Sequence, residues 1–240
     1  MRLTDFKALT FDCYGTLIDW ETGMLAALAP LAARAQRPLP REDILNAHAR
    51  HESSQQAHTP GRRYSQLLAV VYKRLAEEWG TPVDWEECVA YGKVVRLWPP
   101  FPDTIEALRH LKRHFRLFIL SNVDNETFAG TQRLLQVQFD GVMTAEDIGA
   151  YKPSARNFAY LQETLRGYGI AGGEVLHVAQ SLYHDHRPAN ECGLASCWID
   201  RRHAQEGFGA TLDPGVVPRY DFRFRSMAEL ADAHRKELRD

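Results

Sequence analysis

The residues of this chain best able to do chemistry fall in four short clusters: Asp12, Tyr14 and Thr16; Ser121 and Asn122; Tyr151 and Lys152; Gln180, Ser181, Tyr183 and Asp185. Together they offer two carboxylates, one ammonium and several hydroxyl and amide groups. A carboxylate beside a cation stays ionised, and an ionised carboxylate can act as a nucleophile. The first cluster is the most informative. Two residues after Asp12 stands Tyr14, not a second acid. A phenol with an ordinary pKa near 10 is poorly matched to proton transfer near neutral pH.

Each cluster follows a segment that reads as a strand. Residues 8–11 are short, apolar and β-prone, and Gly15 and Thr16 break the run. "FRLFILSN", "FDGVMTA", "EVLHVAQS" and "ASCWID" read as further strands. Helical segments lie between them: "PDTIEALRHLKRH" with Asp103 near its start, "NETFAGTQRLLQVQ", "SARNFAYLQETLRGYG" and a short "DHRPANECG". Strands alternating with helices predict a parallel sheet with right-handed crossovers. In such sheets ligands collect outside the carboxyl ends of the strands, so the four clusters converge on one rim. Residues 20–97 interrupt the alternation with four helical segments and no strand signal. These are "MLAALAPLAARAQ", "PREDILNAHARHESSQQAH" opening at Pro40, "YSQLLAVVYKRLAEEWG" stopping at Gly80, and "DWEECVAYGKVVRLW" with Asp84 at its N-cap. Residues 203–220 read as a long loop, and "DFRFRSMAELADAH" as a last strand and helix.

Composition narrows the function classes. The chain has 240 residues, 45% of them hydrophobic and 25% charged, with a net charge of -2. Those values fit a globular protein and offer no basic surface for nucleic acid. No apolar run approaches the roughly 20 residues of a membrane helix. The N-terminal segment carries no signal-peptide pattern, so the expected location is the cytoplasm. Cys13, Cys88, Cys192 and Cys197 form no Cys-x-x-Cys pair and are read as reduced thiols, with Cys13 in packing.

Taken in order, "FDCYGTLID", "LSN", "YKP" and the acid at Asp185 resemble the motifs of the haloacid dehalogenase (HAD) superfamily, across essentially the whole chain. The resemblance implies an α/β fold: a Rossmann-like parallel core of residues 1–19 plus 98–240, with a helical cap of residues 20–97 inserted after the first strand. It also implies Asp12 as nucleophile. In the superfamily's phosphatases the residue two past the nucleophile is usually a second Asp, which protonates the leaving alcohol. Tyr14 makes the first motif similar to that of the L-2-haloacid dehalogenases, whose halide leaves without a proton. The implied reaction is attack by Asp12 on a small 2-haloalkanoate, an aspartyl ester, and hydrolysis to the 2-hydroxy acid with inverted configuration. Lys152, Asp185, Thr16 and Ser121 would serve catalysis. Tyr14, Asn122, Arg50, Ser181 and Tyr183 would meet the substrate. No metal or cofactor is expected. The implied partners are a small organic acid and, with relatives that dimerise through the cap, a homodimer.

The chain departs from that family at several positions. Ala47 stands where a cap arginine would receive the halide, with Arg50, Arg62 and Arg63 nearby. Phe158 stands where the family has a tyrosine. The fourth motif, "AQSLYHDH", carries one extra residue, and Tyr183 or His184 would compensate for these losses. Trp20, Trp98 and Tyr64 are expected to line the cleft. His184 and His186 lack a clear third metal ligand. Two other readings compete: a Mg2+-dependent phosphatase, with the ion at Asp12, Asp185 and the Tyr14 carbonyl and His184 as an unusual acid, and a non-catalytic protein that keeps the fold.

Overall fold

A computed structural model describes all 240 residues. Ala8–Phe11 (β1) is buried at every residue, as a strand covered on both faces requires. It pairs in parallel with Arg116–Ser121 (β2) on one side and Val175–Ala179 (β4) on the other. Gly141–Thr144 (β3) adds beyond β2, and Ala195–Ile199 (β5) and Phe222–Phe224 (β6) beyond β4. The order is β3-β2-β1-β4-β5-β6, parallel throughout. The winding reverses between β1 and β4, and a ligand crevice forms at such a reversal. Phe11 pairs with both Ile119 and Val178, so the polar residues after these three strands open on one edge.

Four helices lie in the segment between β1 and residue 98: Trp20–Ala32 (α1), Arg41–His58 (α2), Tyr64–Glu78 (α3) and Trp85–Val94 (α4). The Asp19 carboxylate accepts the Thr22 N–H at 3.2 Å to start α1, and Asp84 accepts the Glu87 N–H at 2.7 Å to start α4. The remaining helices are Thr104–Lys112 (α5), Asn125–Leu135 (α6), Ala145–Ile148 (α7), Ala155–Gly167 (α8), Arg187–Glu191 (α9) and Met227–Glu237 (α10). One apolar core runs without a break from sheet residues Leu9, Phe11 and Val178 into Leu28, Leu45 and Leu67 of the inserted helices. A second core, with Phe118, Leu120, Phe158 and Leu161, covers the other face of the sheet. No helix is long and apolar enough to cross a membrane.

Two elements differ from their sequence reading. The fourth helix does not reach Trp98: it tightens into a 3-10 turn over Val95–Leu97, and Trp98 is extended at φ -61°, ψ 136°. Pro99 excludes helical geometry at the preceding residue. The short α7 was not anticipated. Thr144 caps it by accepting the Asp147 N–H, and Gly149 ends it at φ +71°.

The inserted helices pack closely where α4 crosses α3. A Cβ on Gly92 would lie 2.0 Å from the Ser65 carbonyl oxygen, a backbone atom that cannot rotate away. Gly92→Ala is therefore expected to destabilise the protein by about 1–3 kcal/mol. Denaturant unfolding checks this, and an unchanged midpoint would contradict the packing.

Candidate active site

Asp12 is the first residue past β1, and its N–H donates to the Val178 carbonyl at 3.1 Å, fixing it against β4. The chain then turns through Gly15 at φ +96° and brings Thr16 back. Thr16 Oγ1 donates to Asp12 Oδ2 at 2.7 Å and accepts the Gln180 N–H at 2.9 Å. Lys152, 2% exposed, donates to Asp12 Oδ1 at 2.8 Å, Asp185 Oδ1 at 2.7 Å and the Leu120 carbonyl at 3.0 Å. All three N–H groups of the ammonium are thus used. Asn122 clamps the lysine's backbone: its Oδ1 accepts the Lys152 N–H at 2.7 Å and its Nδ2 donates to the Lys152 carbonyl at 3.1 Å. Behind Asp185, His177 Nε2 donates to Oδ1 at 2.9 Å, because a carboxylate only accepts. Its Nδ1 then accepts from Thr10 Oγ1 at 2.8 Å.

These residues form one wall of a cavity, whose other wall comes from α1, α2 and α3 and from loop residues Ala210, Thr211 and Leu212. Asp12, Tyr14, Ser121, Asn122, Lys152, Ser181 and Asp185 all line it. Ser121 Oγ and Asp185 Oδ2 are buried and have no partner within the protein. The backbone N–H groups of Asn122 and Val123 find no acceptor either. The cavity therefore holds several polar atoms that await a ligand.

Burial is the largest influence on Asp12, Lys152, Asp185, Tyr14 and His184. It pushes the Asp12 carboxyl up, Lys152 pulls it back only in part, and Asp185 pushes it further up. Burial also acts against the Lys152 ammonium, but the two carboxylates outweigh it and its pKa rises. Burial opposes the charge on Asp185 as well, yet Lys152 and His177 together hold it well below the usual carboxylate range. One ammonium is shared by two acids, and the one with the extra histidine keeps its charge more firmly. Asp12 is the acid that protonates first as the pH falls. Burial raises the Tyr14 phenol well above 10, and its hydroxyl is held by Thr131 Oγ1 at 2.7 Å. Burial lowers His184 to about 4, so its imidazole is neutral at pH 7 and is no proton donor of the imidazolium kind.

Several sequence expectations are corrected. Arg50 lies on the outer face of α2, its side chain 59% exposed and paired with Glu78 at 2.6 Å, and it does not reach the cavity. Arg63 pairs with Glu146 at 2.7 Å, also outside. Tyr183 packs edge-on against His184 and stands off the cavity wall. The cause is local. The extra residue of the fourth motif is taken up by a π-turn over Leu182–His186, a common outcome of a one-residue insertion at a functional site. The turn delivers Asp185 to Lys152 and sets Tyr183 aside. His184 faces the cavity, whereas His186 is bonded behind it to Ser196 Oγ and the Ala179 carbonyl, so the two share no metal site. Asn122 uses its side chain on Lys152, not on a ligand. Trp20 and Tyr64 line the cavity, but Trp98 is buried behind Tyr14, edge-on at 6.0 Å. Phe158 is buried against His177.

Other residues were missed. His177 supports Asp185 from within an otherwise apolar strand, and that histidine was the available signal. Glu52, Ser53 and Gln56 of α2 face the cavity. Gln56 Nε2 donates to Glu52 Oε1 at 3.0 Å, and His48 Nδ1 lies 3.3 Å from Glu52 Oε2 without hydrogen-bond geometry. Beside the apolar Ile44, Leu45, Ala47 and Ala49, α2 buries His48, Glu52, Gln55 and Gln56, more polar groups than a purely structural helix buries.

With this geometry in hand, comparison with known proteins adds the following. A model of the haloacid dehalogenase-like hydrolases matches residues 6–190. The chain is 27% identical over 204 residues to a glyceraldehyde 3-phosphate phosphatase of Methanothermobacter thermautotrophicus, covering 81% of this chain and 85% of that one. Its structure is similar to an L-2-haloacid dehalogenase, with TM-score 0.77 and 21% identity over 98% of this chain and 100% of that one. It is also similar to a HAD-hydrolase of Bacillus subtilis bound to magnesium, with TM-score 0.73 and 18% identity over 97% and 98%. At those identities the structural likeness speaks to the fold alone.

Any reaction that needs Asp12 ionised fades as that carboxyl protonates. Because its pKa is raised, the acid limb of kcat/KM is expected above about 4, the ordinary aspartate value. Lys152→Met removes the group that lowers it and moves the limb to still higher pH. A pH–rate profile checks both, and a wild-type limb at or below 4 would contradict the assignment.

Proposed function

The chain belongs to the haloacid dehalogenase-like hydrolases, and on that premise we propose that it hydrolyses the carbon–halogen bond of a small 2-haloalkanoate, with Asp12 as nucleophile. The observation that carries this reading is the state of Tyr14. Its hydroxyl is tied to Thr131 and its phenol is a weaker acid than usual. His184, neutral at pH 7, does not replace it as acid. A leaving alkoxide needs a proton, and a leaving halide does not.

The substrate carboxylate is received by the free Ser121 hydroxyl and the Asn122 and Val123 N–H groups. Glu52 on the opposite wall repels that carboxylate and so favours this orientation. Asp12 attacks C2, a C–O bond forms, the C–halogen bond breaks, and halide leaves with the electron pair. Trp20, which lines the cavity, packs against the halide in place of the missing arginine. Lys152 holds Asp12 ionised before attack and then offsets the negative charge that grows on the ester carbonyl oxygen as water adds. Cleavage of the ester releases the 2-hydroxy acid: one proton of the attacking water goes to the departing alkoxide, and the other is lost to solvent as Asp12 returns to its carboxylate. Attack from the face opposite the halide inverts C2.

One observation favours a second reading. Asp185 Oδ2 is buried without a partner, and an unpaired carboxylate oxygen beside a second carboxylate fits a hard cation. Asp12 and Asp185 would then hold Mg2+, which neutralises charge on a phosphate ester when bound. The curated relative named a phosphatase agrees with this option.

Halide release from (S)-2-chloropropionate in the presence of a chelator separates the two. Release is expected for the wild type and none for Asp12→Ala. Tyr14→Phe is expected to keep activity within about threefold, since its hydroxyl serves Thr131. Absence of halide release together with chelator-sensitive phosphate release would reject the dehalogenase reading.

A further inference from the structure

Away from the catalytic cavity, α5 and α10 pack together and bring three histidines to one point. His110 lies on α5, His114 in the turn that follows, and His234 on α10. Their ring centroids are 5.0, 5.2 and 4.9 Å apart, and one nitrogen from each lies within 4.8 Å of the other two. His110 and His234 are buried and His114 is exposed. None lines the cavity, and the proposed reaction uses none of them.

We propose that His110, His114 and His234 form a binding site for a late first-row divalent transition ion, of the nickel, copper or zinc kind. Imidazole nitrogen is the preferred ligand of these ions. His110 Nε2 and His234 Nδ1 lie 3.0 Å apart, a spacing at which one shared proton joins them. An ion replacing that proton, with metal–nitrogen bonds of about 2.05 Å, subtends about 90° between them. That angle suits tetragonal Ni2+ or Cu2+, whereas a tetrahedral Zn2+ requires a slight opening of the pair; His114 has to move inward for either, since two such bonds span at most about 4.1 Å and the three nitrogens lie within 4.8 Å of one another. His114 closes the third position from the solvent side, and water completes the shell.

The surroundings set the conditions. Arg113 Nη2 lies 3.4 Å from His110 Nδ1 and has to turn outward, because coordination through Nε2 leaves Nδ1 protonated. Arg235 opposes a dication electrostatically and Glu237 favours it. The ion would tie the C-terminal helix to α5 and stabilise the native state alone.

The test uses the full chain without an affinity tag. Titration calorimetry with NiCl2, CuCl2 and ZnCl2, alongside thermal unfolding, is expected to give saturable one-to-one binding and a raised Tm, with MgCl2 inert. Bound Cu2+ is expected to show nitrogen couplings in its electron paramagnetic resonance spectrum. His114→Ala, at an exposed position that leaves folding intact, is expected to weaken binding at least tenfold, and His234→Gln to reduce the number of nitrogens coupled to bound Cu2+. Absence of one-to-one binding, or equal affinity in His114→Ala, would overturn the proposal.

Discussion

A single ammonium between two buried carboxylates holds the catalytic end of this protein together. Lys152 reaches Asp12, Asp185 and the Leu120 carbonyl at once. Those contacts join the ends of β1 and β2, the segment after β3 and the turn after β4. Burying isolated ions costs several kcal/mol each, and only full pairing with additional hydrogen bonds offsets it. The supporting bonds are present: Thr16 on Asp12, His177 on Asp185, Asn122 on the lysine backbone. Removing the lysine would leave two anions facing each other in a poorly solvated space. The arrangement also ranks the two acids, because Asp185 is held by Lys152 and His177, whereas Asp12 is held by the shared Lys152 and a neutral hydroxyl, Thr16.

That ranking suits the reaction proposed for Asp12. A nucleophile that is fully stabilised has little tendency to attack, whereas burial would leave Asp12 basic enough to react while Lys152 favours its charged form. Opposite this cluster the inserted helices place a wall that is aromatic at Trp20 and Tyr64 and polar at Glu52, Ser53 and Gln56. No arginine faces the cavity. An anionic substrate therefore depends on hydroxyl and amide donors at the end of β2 for its binding.

The parallel sheet and the convergence of the four clusters were legible because strands and breakers are local signals. Asp12, Ser121, Lys152 and Asp185 each follow such a signal, and the fold rules carry them to one edge. What lay beyond reach depended on rotation and on partners far apart in sequence. The polar and apolar residues of α2 define no clear stripe, so nothing in the sequence set which side faced inward, and Arg50 was assigned the wrong one. The extra residue of the fourth motif was visible, but its absorption in a π-turn was not, and Tyr183 was misplaced as a result. His177 looked like one more strand residue until Asp185, eight positions later, was seen to need a donor. Asn122 carried the right residue type for binding, yet its partner is the backbone of a lysine 30 positions away.

The most direct test of the account is the destination of oxygen in a single turnover. With enzyme in excess over (S)-2-chloropropionate in H2(18)O, mass spectrometry of the peptide containing Asp12 and of the 2-hydroxy acid would locate the label. Covalent attack by Asp12 predicts 18O in the aspartate and none in the first-turnover product. Label in the product with an unlabelled Asp12 would mean that water attacks the substrate directly, and the nucleophilic role of Asp12 would be wrong.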